Sequence, residues 1–306
     1  MAHAVLDEPK IHMGLPLPHG KVAIWLFLVT EIMFFTGLIG TYIILRNGTP
    51  SDFYPWPRPH DVHLAEWAGA VNTFVLICSS LTVVLSHHAL AKGRIKQATQ
   101  LIAVTLALGI VFLGIKAYEY YGKISHAILP GQIYERLDGP SGFRFIKHVE
   151  EQLKEVAENP DHYGTEAVAD CKALLQKIPN LSAKKLNLEI MGTQDAHNPQ
   201  KENEHVKPCD RVAGYEVKQG LLQKHPDLHV ANSISFGNMW ASCYFAMTGF
   251  HAIHVLGGLV VFVIILIMAW RGIFGPQHEA LIEYTGLYWH FVDIVWIFLF
   301  PLLYLV

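Results

Sequence analysis

The sequence contains few charged residues, few cysteines and no strongly basic region. Charged residues make up 16% of the 306 positions while hydrophobic residues make up 52%, and the mean hydropathy is +0.28. Soluble domains carry about 25% charged residues, so this composition excludes an ordinary soluble protein. A net charge of −3 excludes the basic surface that nucleic acid requires. With four cysteines and no C-x-x-C-H string, covalent haem c is excluded as well.

The charges that are present are concentrated in one segment. Between Gly122 and Ser235 lie 14 of the 23 Lys and Arg and 16 of the 26 Asp and Glu. The rest of the chain contains five apolar stretches, each long enough to cross about 30 Å of hydrocarbon. These predicted spans are Val22–Leu45, Trp67–Ala89, Leu101–Tyr121, Gly237–Trp270 and Tyr284–Val306. The first is too long for a signal peptide and lacks a cleavage site, so we expect it to be retained.

The distribution of Lys and Arg in the short loops predicts the orientation, because basic residues near span ends stay in the cytoplasm. One side of the predicted topology carries Lys10, Lys21, Lys92, Arg94, Lys96 and Arg271. The first loop on the opposite side carries Arg46 and Arg58 alone. The N-terminus is therefore expected in the cytoplasm and the C-terminus outside. Long segments cross regardless of charge, so residues 122–235 are expected outside too.

Four regions follow from this topology. Residues 1–21 form a cytoplasmic segment, 22–121 the first three spans, 122–235 an extracytoplasmic insertion and 236–306 the last two spans. Apolar spacings of three and four predict helices in the insertion over Phe145–Ala157 and from Thr165, as N-cap, to Pro179. The fold class predicted is an all-α membrane protein.

Two carboxylates lie deep in predicted spans, where an ionised group costs about 3 kcal/mol. Glu31 and Asp293 each lie nine residues into a span. One interpretation is a carboxyl group that fixes helix packing by hydrogen bonding. The other is a group that exchanges protons, since burial would raise its pKa. The sequence leaves both open.

Histidines within the spans give a second set of candidates. His251 and His254 share one helix face, as do His290 and Asp293. Haem ligation requires two histidines at matched depth on different helices, so hydrogen bonding between helices is favoured over haem. Small residues spaced four apart predict close helix contacts. These pairs are Thr36 with Gly40, Gly37 with Thr41, Gly69 with Thr73, and Ser242 with Ala246.

Three sequence strings are more specific than the general features of membrane spans. They are Trp25–Gly37, which contains Thr30-Glu31-Ile32-Met33-Phe34-Phe35; Gly249–Val255, which reads Gly-Phe-His-Ala-Ile-His-Val; and Tyr288–Trp296, which reads Tyr-Trp-His-Phe-Val-Asp-Ile-Val-Trp. With Asn72-Thr73, Ser79-Ser80 and Tyr118-Glu119-Tyr120, they resemble subunit III of the haem-copper oxidases. The resemblance covers all five spans.

The resemblance implies a V-shaped bundle of five transmembrane helices that encloses phospholipid, in the five-span bacterial form of the family, located in the cytoplasmic (inner) membrane. It implies an accessory subunit of a proton-pumping cytochrome c oxidase that supports assembly and proton uptake. This chain would be a non-catalytic part of the enzyme without metal or redox cofactor. Haem and copper are expected only in partner subunits, of which subunit I would be the main contact and subunit II the second.

The resemblance also assigns candidate residues. Glu31, His290, Asp293 and Glu119 match intramembrane polar positions associated with protons. Arg271, His278 and Glu283 match the approach to the last span, where a basic residue meets a lipid phosphate, and His251 and His254 are placed with these lipid-binding candidates. No catalytic residue and no metal ligand are expected.

The long insertion departs from the family, so its role rests on the residues alone. Cys171 and Cys209 share this external segment, where oxidising conditions favour a disulfide. We expect the insertion to dock on subunit II or on another respiratory complex; a docked cytochrome c domain is the other possibility.

Alternatives from other classes remain. Within the family, a quinol oxidase subunit III fits the same strings, because subunit II determines the electron donor. A haem-b membrane anchor and a proton-coupled transporter are less favoured, the latter because no inverted repeat is evident.

Overall fold

The computed structural model describes residues 19–49, 56–62, 64–125, 128–193 and 211–305. Over these ranges the chain is helical, and the one β-type pairing is an isolated bridge between Tyr134 and Ser233. The α-helices are α1 His19–Asn47, α2 Glu66–Ala91, α3 Ile95–Ser125, α4 Gly139–Glu158, α5 Pro160–Tyr163, α6 Thr165–Lys177, α7 Ala183–Met191, α8 Leu221–Lys224, α9 Gly237–Trp270 and α10 Glu279–Phe300. Short 3₁₀ turns occupy Pro59–Val62, Ile178–Asn180 and Pro276–His278, and α10 continues as a π turn over Pro301–Leu305.

Five of these segments are long and apolar enough to cross a membrane. They are α1, α2, α3, α9 and the segment Pro276–Leu305 that contains α10. The five predicted spans and the all-α membrane fold are thus confirmed, although α1 and α3 are longer than their hydropathy suggested. The V shape of the bundle stays a prediction.

Two glycine turns join successive spans at one end of the bundle. Gly93, between α2 and α3, has φ of +73°, and Arg94 N donates to Ala89 O at 2.9 Å. Gly272, after α9, also has φ of +73°, and Ile273 N donates to Met268 O at 3.0 Å. Both helices end in this way because glycine adopts the left-handed conformation without steric cost.

Glycine also permits the closest helix contacts in the bundle. A Cβ atom on Gly109 of α3 would lie 2.5 Å from Leu259 of α9 and 3.1 Å from the Trp289 ring of α10. A Cβ atom on Gly258 would lie 2.7 Å from the same ring. The side chain of Trp289 therefore fills the space that two glycines leave, and it joins α3, α9 and α10.

The first span is the least covered helix. It packs against α9 and α10, and buries only Leu28, Phe35 and Tyr42. The expected close contacts at Gly37 and Gly40 are wrong within this chain, since nothing lies within 4 Å of where their Cβ atoms would be. This face of α1 is open in the isolated subunit.

Between α3 and α9 the chain forms a separate lobe, defined here as the described part of residues 128–235. Helices α4, α6 and α7 pack around an apolar core in which Phe145, Val149 and Leu153 are fully buried. The helix predicted over residues 145–157 is confirmed. The second predicted helix is present as α6, but Thr165 is its first residue and Gly164, with φ of +81°, precedes it as the cap. The N-cap prediction is therefore wrong.

The base of the lobe is held to the bundle at the start of α9. The Asn238 side chain accepts from the backbone of Gly131 at 2.8 Å and of Ile133 at 3.1 Å, and donates to Ile133 O at 2.8 Å. Asn238 N donates to the Glu135 side chain at 3.0 Å. We call this end of the bundle the lobe end.

Candidate functional site

Glu31 on α1 contacts His254 on α9. Glu31 Oε2 lies 2.9 Å from His254 Nε2, and His254 Nδ1 lies 2.7 Å from the carbonyl oxygen of Phe250. A carbonyl only accepts hydrogen bonds, so Nδ1 carries a hydrogen. The short Nε2–Oε2 contact then needs one more proton, which the imidazole and the carboxyl group share. The arrangement is a histidine–carboxylate pair inside a membrane span.

The surroundings of this pair are aromatic and partly open. Phe35 stands edge-on to the His254 ring with centroids 5.3 Å apart, and the Tyr288 hydroxyl donates to His254 O at 2.9 Å. The side chains of His254 and Glu31 are 16% and 21% exposed. His254 thus has Glu31 as its partner, while its assignment to a lipid stays a prediction.

His290 and Asp293 share one face of α10, but they are not hydrogen-bonded to each other. His290 Nδ1 is hydrogen-bonded to the Ser80 hydroxyl of α2. Among the described residues, neither carboxyl oxygen of Asp293 has a hydrogen-bond partner, although the Ser80 hydroxyl lies close by. Sharing a face of α10 therefore does not make His290 and Asp293 a pair, and the contact of His290 Nδ1 is Ser80 on α2.

A buried ionic cluster lies near the lobe end. Lys116 Nζ donates to Glu119 at 3.2 Å, to the Tyr244 hydroxyl at 3.2 Å and to the Tyr304 hydroxyl at 2.8 Å. Tyr304 lies 2.7 Å from a Glu119 oxygen, and Tyr244 also donates to Glu119. All three ammonium hydrogens are thereby used, and the carboxylate accepts from three donors.

Aromatic rings enclose the same ammonium group, and a second lysine lies beside it. The rings that lie 5.0–5.6 Å from Lys116 Nζ belong to Tyr120, Tyr244, Trp296 and Tyr304. Lys123, also buried, donates to Val62 O at 2.9 Å and lies 5.0 Å from the Tyr244 ring. Such cation–π contacts stabilise desolvated ammonium groups by about 2 kcal/mol.

Sequence reasoning singled out Glu119 but missed both lysines. Lys116, Glu119 and Lys123 are spaced three and four apart, so they share one face of α3. Lys116 within the predicted third span, and Lys123 two residues beyond its end, were the available signal. The proton-related role assigned to Glu119 stays a prediction.

At the end opposite the lobe, the lipid-binding candidates are separate from one another. Arg271 is exposed directly after α9. His278 accepts from Gly275 N at 3.3 Å and stacks on Phe274, and Glu283 is paired with Lys21 at 2.5 Å. Lipid binding by these residues stays a prediction.

His251 differs from the other lipid-binding candidates. It is 1% exposed and lies between the rings of Phe112 and Trp296, with centroids 5.6 and 5.2 Å away. A lipid does not reach it, so the assignment of His251 to lipid binding is wrong.

Of the two cysteines expected to pair, the structure describes one. Cys171 is a free, fully buried thiol in the lobe core, and burial raises its pKa to about 11. Cys209 lies outside the described residues, so the disulfide stays a prediction. In the described ranges, no group of three or more His, Cys, Asp or Glu side chains is arranged to hold a metal ion.

Comparison with known proteins connects these features. The family model "Cytochrome c oxidase subunit III" matches residues 11–146 and 220–306, which leaves most of the lobe outside the match. Cytochrome c oxidase subunit 3 of Thermostichus vulcanus is 23% identical over 91% of this chain and 83% of its own length. The subunit 3 of Formosania lacustris is 22% identical over 97% of this chain and 71% of its own length. A probable subunit 3 of Nocardia farcinica reaches 43% identity, over 26% of this chain and 38% of its own length.

Proposed function

Because the chain belongs to the cytochrome c oxidase subunit III family, and is thus an oxidase subunit, we propose that it serves as an accessory subunit without a redox centre. In this role it packs against subunit I and also contacts subunit II, which hold the haem and copper. It sustains proton uptake by the catalytic subunit and encloses phospholipid. The complex takes electrons from cytochrome c rather than from quinol, in keeping with the names of the relatives.

The Glu31–His254 pair is the main observation that supports this proposal. It lies between α1 and α9, and its side chains are partly exposed. A shared proton at such a position is available to a neighbouring subunit or to water between subunits. The open face of α1 at Gly37 and Gly40, which points away from this pair, fits a helix of another subunit.

Purified oxidase provides the test of the accessory role. Enzyme depleted of this chain is expected to reduce oxygen at first, but to take up protons more slowly and to inactivate faster during turnover. Loss of haem or copper in step with this chain would contradict the proposal.

A point variant tests the pair itself. Glu31→Gln in the complete oxidase is expected to slow proton uptake several-fold and to lower the rate of oxygen reduction with it, because reduction of oxygen to water consumes protons, while the haem and copper contents stay those of the wild type. Glu66→Gln, which changes an exposed carboxylate at the start of α2, is the matched control. Proton uptake at the wild-type rate in Glu31→Gln would remove the proton role and leave membership in the complex intact.

Two further parts of the proposal concern the ends of the bundle. In a bacterial inner membrane, the end that carries Lys21, Arg94 and Arg271 faces the cytoplasm and the lobe end faces outward. Arg271 binds a phospholipid phosphate there, because its guanidinium reaches the head-group layer. The lobe docks on subunit II or on a neighbouring respiratory complex.

A further inference from the structure

Three polar side chains in the core of the bundle have no partner. Asn72 on α2, His251 on α9 and Asp293 on α10 are 0%, 1% and 4% exposed. In the part of the chain that the structure describes, both amide atoms of Asn72, both ring nitrogens of His251 and both carboxyl oxygens of Asp293 lack a partner at ordinary hydrogen-bond geometry, although the Ser80 hydroxyl lies close to Asp293. Each is nonetheless a strong hydrogen-bonding group.

Trp296 brings the three side chains into one region. Its ring centroid lies 5.2 Å from that of His251, and its Nε1 donates to Thr73, the residue after Asn72, at 3.1 Å. Asp293 lies one helical turn before Trp296 on α10. His251 thus contacts this indole, Asn72 is next in sequence to a residue that bonds to it, and Asp293 lies one turn from it on the same helix.

Groups of this kind are costly to leave unsatisfied inside a span, because the hydrocarbon outside offers no replacement hydrogen bond. Direct protein partners are already committed nearby. The Ser80 hydroxyl, which is bonded to His290, has one hydrogen and can offer Asp293 a single bond, and the three hydrogens of the Lys116 ammonium, which lies over the Trp296 ring, are donated to Glu119, Tyr244 and Tyr304. Water is a ligand with both donor and acceptor capacity that could satisfy all three groups.

We propose that Asn72, His251 and Asp293 bind ordered water in the core of the bundle, as one hydrogen-bonded group that joins α2, α9 and α10. The amide supplies donors and an acceptor, the imidazole one of each, and the carboxyl group acceptors. A buried water makes about three hydrogen bonds, and this set provides them. The water site does not depend on the proposed role in proton uptake.

Water labelling of the intact oxidase tests the proposal directly. Radiolysis by X-rays in oxygen-18 water modifies side chains next to bound water even where they are buried. Trp296 and Trp289 form a matched pair, since both are fully buried on α10 and both donate their Nε1 hydrogen to an α2 hydroxyl. We expect Trp296 to gain oxygen-18 several-fold faster than Trp289. Equal rates at the two positions overturn the proposal.

An apolar replacement gives a second, independent test. If His251 bonds to water, His251→Phe breaks that bond and lowers the midpoint of thermal unfolding of the oxidase. If the site is dry, the same variant removes an unsatisfied group and raises the midpoint. Thr248→Val, one turn earlier on α9, calibrates the loss of a direct bond, which Thr248 makes to Tyr120 at 2.6 Å.

The connection between the helices is tested by combining variants. Asn72→Leu together with His251→Phe is expected to lower the midpoint by less than the sum of the single effects, because both groups bond to the same waters. A raised midpoint in His251→Phe, or additive losses in the double variant, contradicts the proposal.

Discussion

The bundle and the lobe distribute polar and apolar side chains in opposite ways. On the bundle, Leu, Ile, Val and Phe cover the outside, while Lys116 and Glu119 are buried. In the lobe, Phe145 and Leu153 are buried, and ion pairs such as Lys154–Glu150 lie at the surface. The two regions bury opposite kinds of side chain because the bundle is surrounded by hydrocarbon and the lobe by water.

We therefore expect the loss of a buried ion pair in the bundle to lower the free energy of unfolding more than the loss of an exposed ion pair in the lobe. Lys116→Met leaves Glu119 buried without its charge partner, so we expect the free energy of unfolding to fall by about 3–5 kcal/mol. Lys154→Met removes a pair whose side chains are 57% and 38% exposed, and should cost about 0–1 kcal/mol. Unfolding of the purified oxidase in detergent measures both.

A double variant sharpens the test. Adding Glu119→Gln to Lys116→Met is expected to recover part of the loss, because the carboxylate charge is no longer buried alone. Equal losses of stability in the Lys116 and Lys154 variants would contradict the expected difference between the bundle and the lobe.

Exposed phenylalanines supply the next test. Phe74 on α2 is 68% exposed and Phe143 on α4 is 77% exposed. Phe74→Asp is expected to oppose membrane insertion by about 3 kcal/mol, whereas Phe143→Asp should change stability by less than about 0.5 kcal/mol. Insertion assays and the yield of assembled oxidase measure the difference. A comparable loss in both variants would show that Phe143 is not in water.

The smallest expected effect concerns pH and the lobe. His225, bonded to Asp170 at 3.0 Å, holds the pKa of that carboxyl group below its ordinary value, and Lys224 acts in the same direction. The ionised carboxylate therefore stabilises the folded lobe above the ordinary pKa of Asp, and this contribution is lost as the pH falls through the lower folded pKa.

Asp170→Asn should accordingly cost less than about 1 kcal/mol near neutral pH and nothing at strongly acidic pH. Thermal unfolding at several pH values checks this, with Asp227→Asn as the control at an exposed position. A loss that is independent of pH would assign the effect to packing.

Hydropathy alone located the spans, and the isolated carboxylate at Glu31 marked a candidate position. Neither showed that His254 is its partner, because pairing across helices depends on their relative depth and rotation. The same limit explains why the contact between His290 and Ser80 of α2 was not predicted. Local spacing identifies residues that share a face, whereas tertiary packing decides which of them meet.

In the lobe, local spacing was sufficient to predict the main helices. Apolar spacing predicted its two main helices, since α4 and α6 are amphipathic and lie at a boundary with water. Lys116 was overlooked because charge in a span was sought among acids and histidines, and Lys123 because the predicted third span ended at Tyr121, whereas α3 continues to Ser125. Their spacing with Glu119 was visible, but the cage of Tyr244 and Tyr304 comes from residues more than a hundred positions away.

That cage has a consequence for the order of synthesis. Tyr244 and Tyr304 follow Lys116 by 128 and 188 residues. At about 5–20 residues per second, α3 is made roughly 10–40 s before its last partner. During that interval Lys116 has only Glu119, one turn away on the same helix, to offset its charge. The i,i+3 pair therefore accompanies α3 into the bilayer, and the tyrosines complete its hydrogen bonds when the final span arrives.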